Sequence, residues 1–193
     1  MSNEPGEYYT KDRWQNWIDR LREEEIDPDE EDSARLLLNL QDDTAIAVAK
    51  ILTDFDEEVL DEETTLGKLE EIQEIVLSEV TFENEDKELL IEGVQTSLMC
   101  VFHAAHEYVV GGPAEEGTAE EYIEAAAEEE ANEDLDAALG YCVQAGTLII
   151  DGEEMDMSMA EELEFGLVAE WVKGLDSLQT AMRDPEVVEE DEE

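Results

Sequence analysis

The chain has 193 residues, 58 of them Asp or Glu against 10 Lys or Arg, for a formal net charge of −48. Nucleic acid is not an expected partner, and no run approaches the roughly 20 apolar residues that span a bilayer. Yet 42% of the residues are hydrophobic and recur with helical spacing, a pattern that disordered acidic chains lack.

The length fits one domain that buries roughly 70% of its unfolded surface. In ordinary saline such a charge works against a compact state. At molar salt the Debye length is only about 3 Å, and the repulsion is largely screened. A salt-accumulating cytoplasm is therefore the expected setting. DNA mimicry would gather the acid in rows on one surface, whereas here it lies on nearly every helix. Two cysteines, Cys100 and Cys142, make no disulfide framework. The first residues, MSNEPGEYYT, have neither the basic nor the apolar region of a secretory signal. A soluble, cytoplasmic protein is expected.

Residues 1–9 read as a loose leader. Thr10 caps a first helix that runs to about Glu25, with Trp14, Trp17, Ile18 and Leu21 at i, i+3, i+4 and i+7. Lys11, Arg13, Arg20 and Arg22 flank that stripe. Either they reach outward to pair with an acidic body on which the helix docks, or they form, with Trp14 and Trp17, a small aromatic-basic contact surface for nucleic acid or a partner. Ile26-Asp27-Pro28-Asp29 breaks the helix.

A second helix starts at Asp32 or Ser33 and runs to about Phe55. Leu37, Leu40, Thr44, Val48, Ile51, Leu52 and Phe55 face inward, and Leu36, Leu38, Ala45 and Ile46 widen the stripe. Asn39, Asp42, Asp43 and Lys50 are left outside. A third helix spans about Asp61 to Val80, and a central one runs from near Glu85 to Val110. Thr118-Ala119-Glu120-Glu121 is a capping box that opens a short helix, interrupted at Ala131-Asn132. A sixth spans about Glu133 to Ile150, where Gly140 and Gly146 would allow close helix approach. Met155, Met157 and Met159 sit in the next connection, as gap-fillers at a helix junction or as an adaptable binding surface. A second capping box, Ser158 to Glu161, opens a last helix to about Met182, which Asp184-Pro185 stops. The expected architecture is an all-α, single-domain bundle of about seven helices over residues 10–183, with an acidic disordered tail over 184–193.

The central stretch from Leu89 to Val110 carries only Glu92 and Glu107 as charges. At about 100° per residue, Leu90, Ile91, Val94, Leu98, Val101, Phe102, Ala105 and Val109 form a core face. The opposite side holds Leu89, Thr96, Cys100, His103 and Glu107, with Gly93 beside them. A helix with little charge on any side is usually buried on several. The competing reading is a site or a protein interface.

Cys100, His103 and Glu107 stand at i, i+3 and i+7, on one face. Thiolate with imidazole suits zinc, and Cys142 from another helix would add a ligand. The pattern falls short of a motif. It has one loose ligand pair, and its order is H-A-A-H-E rather than H-E-x-x-H. Cys and His satisfied inside the fold is the plainer reading. No serine elbow, Walker loop or dinucleotide glycine fingerprint occurs. A Cys100 nucleophile with His103 as base would lack an oxyanion hole, and nearby carboxylates would raise its pKa.

Three stretches, YYTKDRWQNWIDRLREEEIDPDEEDSARLLLNLQDDTAIAVAKIL, GVQTSLMCVFHAAHEYVVGG and LDAALGYCVQAGTLIIDG, resemble an uncharacterised family of haloarchaeal and related euryarchaeal proteins, a domain of unknown function. The resemblance implies an archaeal cytoplasm and brings no activity, cofactor or catalytic residue with it. The functional expectation is a non-enzymatic helical module that binds a protein partner or itself in a halophilic archaeal cytoplasm. Its contact residues would be Trp14 and Trp17, or Thr96, Cys100, His103 and Glu107. No cofactor is expected. The alternative is a metal- or thiol-dependent enzyme centred on Cys100, His103 and Glu107, with zinc as the fitting metal.

Overall fold

The computed structural model describes residues 8–25, 30–156, 158–163 and 166–183. Most of the expected leader, the Ile26–Asp29 breaker, Met157 and the acidic tail lie outside them. Among the described residues eight helices follow in order: α1 (Lys11–Glu23), α2 (Glu31–Asp56), α3 (Glu62–Val76), α4 (Glu85–Gly111), α5 (Ala119–Ala131), α6 (Leu135–Ile150), α7 (Ser158–Glu162) and α8 (Leu167–Arg183). No strand occurs among the described residues.

Local sequence explains where most of the helices start. The side chains of Thr10, Asp61, Asn84, Thr118 and Asp134 accept the first free N–H groups of α1, α3, α4, α5 and α6. Each such cap contributes about 1 kcal/mol. At Thr118 both halves of the capping box form.

The architecture is the expected all-α bundle, and the expected last helix is two helices among the described residues. α7 ends at Glu162, and α8 begins at Leu167 after Gly166, whose φ of +118° no helix continues. A Cβ on Gly166 would overlap the Glu130 carboxylate. That carboxylate accepts the Val168 N–H at 2.8 Å, so the end of α5 caps the start of α8. The cap at the start of α7 is Asp156, which accepts the Ser158 N–H at 2.9 Å.

α4 is the axis of the bundle, with α2, α3, α6 and α8 packed around it. Leu98, Val101, Phe102 and Ala105 form its fully buried stripe, and each large member contributes about 2–3 kcal/mol. α8 lies so close that a Cβ on Gly174 would overlap the Ser97 carbonyl oxygen. α6 crosses where Gly146 meets Ala104, the close approach expected of that glycine. Gly140, expected to do the same, faces open space. α2 joins α8 through Gln41, whose amide donates to Ser177 Oγ at 2.9 Å and the Lys173 carbonyl at 3.0 Å.

Two expectations on α2 are overturned. Leu38, placed in the buried stripe, is 52% exposed. Asp43, placed outside, is 5% exposed because α1 lies over it. Its carboxylate accepts from Arg13 Nε at 2.8 Å, from Arg13 Nη2, and from Trp17 Nε1 at 2.9 Å. A docked helix supplied the cation and donor that let an acid go inside.

Candidate functional site

The neutral side of α4 divides in two. Cys100 is fully buried, against Cys142 of α6. His103, one turn on, is exposed, and so are His106 and Glu107. Cys100 and His103 differ by about 60° around the helix, enough for α6 to cover one and leave the other in solvent. The structure therefore brings Cys100 and Cys142 together and does not bring His103 and Glu107 to them. Among the described residues, no group of three or more His, Cys, Asp or Glu side chains is placed to hold a metal.

Burial governs the thiols. It raises the Cys100 pKa well above the usual range, with Cys142 adding to the effect. It pushes Cys142 up to about 12, with Glu130 contributing. Almost no thiolate forms at neutral pH, so neither sulfur is an activated nucleophile.

What remains open on α4 is a strip. Leu89 (65% exposed) and Val110 (55% exposed) mark its ends. Between them lie Glu92, His103, His106 and Glu107, all exposed, with Thr96 and Met99 half-buried. The strip is organised by two of its neighbours. α3 and the loop after it hold one edge, where the Gln95 amide donates to the carbonyls of Val76 and Ser78 at 2.9 and 2.8 Å. α6 holds the other, through Cys142 and Gly146. This central surface carries both histidines of the chain, beside the carboxylates of Glu92 and Glu107.

The α1 candidates sit differently. Trp14 is buried in the core and Trp17 packs against it, its indole N–H held by Asp43. Arg20 stacks over the Trp17 ring at 5.1 Å. The Trp stripe is thus used inside the molecule. A cleft of about 730 Å³ lies between α1 and α3, lined in part by Lys11, Trp14, Glu71 and Glu74. A second, of about 510 Å³, lies beside Arg22, Phe82 and Lys87. Its two cations are engaged with the backbone. Lys87 donates to the Glu24 carbonyl at 2.7 Å, and Arg22 to the Thr81 carbonyl at 3.2 Å.

A family model described as an uncharacterized protein conserved in archaea (DUF2150) matches residues 7–191. The chain belongs to the DUF2150 family. The match takes in all eight helices, both cysteines and both histidines, so the open α4 strip and the buried thiol pair both lie within the DUF2150 region. No curated protein and no solved structure matches the chain.

Sequence reasoning missed Asp43 and Glu130, the two acids that organise helix docking. Asp43 reads as an outer residue with its neighbour Asp42, because its face becomes interior only once α1 covers it. Glu130 carried no signal, because its partner is an N–H created by the break before α8.

Proposed function

We propose that this DUF2150 domain is a non-enzymatic helical interaction module that associates with itself in a salt-rich archaeal cytoplasm. The observation that supports this is the open strip of α4. The axis of the bundle leaves Leu89, His103, His106 and Val110 exposed, beside Glu92 and Glu107, in a chain of net charge −48. Exposed apolar side chains and imidazoles offer acidic copies a contact other than carboxylate on carboxylate. The geometry does not favour the enzyme reading, since Cys100 is buried while His103 and Glu107 are in solvent.

Light scattering and affinity purification in molar potassium chloride test the proposal. A concentration-dependent dimer is the expected result. A strict monomer that recovers no partner counts against it. Elemental analysis of untagged protein tests the alternative, which requires near-stoichiometric zinc or iron.

A further inference from the structure

We infer that Cys100 and Cys142 are an oxidisable dithiol, which hydrogen peroxide closes to an intramolecular disulfide that staples α4 to α6. This is independent of the self-association reading.

The chain has two cysteines in 193 residues, and the fold brings both to one helix crossing. Both are free thiols and fully buried. α4 and α6 run in the same direction, because α5 carries the chain back between them. The Ala114 N–H, just past α4, accordingly donates to Thr147 Oγ1 near the end of α6 at 3.1 Å. The two helices meet most closely at Ala104 and Gly146. A Cβ on Gly146 would overlap the Ala104 Cβ and stand 3.8 Å from the Ala104 Cα. Cys100 and Cys142 each lie about one helical turn before that point, so the crossing holds them side by side. A disulfide needs Cβ atoms about 3.5–4.5 Å apart. Helix axes usually stand about 8–10 Å apart, and the missing side chain of Gly146 is what lets these two come near enough.

The chemistry balances with peroxide as the oxidant. One cysteine attacks as its thiolate: an S–O bond forms, the O–O bond breaks, and the thiol proton leaves with the second oxygen as water. The neighbouring thiol then attacks the sulfenic sulfur. An S–S bond forms, the S–O bond breaks, and a second water leaves. The sulfur pair gives up two electrons and peroxide takes them. Because burial keeps the thiolate scarce, the reaction is slow and needs excess peroxide. Peroxide is little larger than water, so it enters through a smaller opening of the fold than a thiol reagent needs. The surroundings favour this product. A disulfide carries no charge, whereas a metal held by two thiolates would bury one, and His103 and Glu107 stand in solvent rather than beside the thiols.

The reduced full chain, treated with hydrogen peroxide in molar potassium chloride without denaturant, tests the inference. After unfolding, neither cysteine should alkylate, the intact mass should be lower by two hydrogens, and the peptides carrying Cys100 and Cys142 should be joined. Dithiothreitol should restore both thiols. The oxidised protein should melt about 5–10 °C above the same sample after dithiothreitol. That comparison isolates the disulfide, because dithiothreitol leaves in place any sulfoxide formed at the half-buried Met99. Cys142→Ala should show neither joined peptides nor the shift. Free thiols beside an oxidised Met99 would overturn the inference. So would sulfinic acid in place of joined peptides, or a pair that joins only in denaturant. A melting temperature that dithiothreitol raises, or a shift that persists in Cys142→Ala, would overturn the staple as well.

Discussion

Asp43 is one carboxylate holding two side chains of α1, Arg13 and Trp17, on α2. Asp43→Asn keeps the size but removes the charge and leaves the guanidinium half-satisfied. Because Arg13 is partly solvated, the expected loss is about 2 kcal/mol, read from denaturant unfolding in molar salt. Trp17→Phe removes only one donor and should cost about 1 kcal/mol. Equal effects would show that Asp43 does not act through Arg13. The sequence could not show this site. A helical projection assigns faces, and Asp43 lies on a face that becomes interior only once α1, some thirty residues earlier, covers it. The same limit split Cys100 from His103: the projection grouped them, but only the position of α6 separates covered from open. The thiols carry a second prediction. With burial raising both pKa values, a thiol reagent at pH 7–8 should label neither cysteine in the folded protein and both after unfolding. Rapid labelling of the native state would mean that the α4–α6 contact opens readily.

At the scale of elements, the helices were largely legible because apolar spacing and caps agree. Thr10, Asp61 and Thr118 each place a start within a residue or two of the expected one. The break between α7 and α8 was not legible. Apolar spacing continues across it, and what fixes it is Glu130 reaching over from α5 to Val168. Glycines show the same division. Gly140 and Gly146 look alike in sequence, yet one faces solvent and the other meets Ala104, while Gly174 makes the tightest approach to the α4 backbone. Gly174→Ala should therefore push α8 from α4 and cost about 2–3 kcal/mol. Gly140→Ala should be neutral, or stabilise by up to about 1 kcal/mol through helix propensity. Thermal melts of the two variants, run together, separate packing from propensity. A Gly174→Ala protein as stable as Gly140→Ala would mean that the α4–α8 crossing relaxes freely.

For the whole molecule, the largest number is the charge. With −48 and ten basic residues, most carboxylates have no cationic partner. Folding brings them closer, and their repulsion reaches about 10 Å at 0.1 M ionic strength but about 3 Å at 1 M. The melting temperature should fall as potassium chloride drops from molar to tens of millimolar. Acid should act in two directions at low salt. Burial raises the Asp42 pKa, with Asp176 adding to it, and burial also raises Asp176. A raised folded pKa means that protonation favours the fold, so stability is gained as pH falls from 7 through those raised values. Asp61 and Asp156 have lowered values because Thr64 and Ser158 donate to them at helix starts. Their contribution is present above the unfolded carboxylate pKa of about 3.9 and is lost as pH falls below it. Stability at low salt should therefore rise on mild acidification and fall again in stronger acid. In molar salt the rise should shrink, because the surface repulsion it relieves is already screened, while the fall in stronger acid should remain. A melting temperature independent of salt at neutral pH would show that the carboxylates are not repelling one another, and that the acidic surface answers to something other than a salt-rich interior.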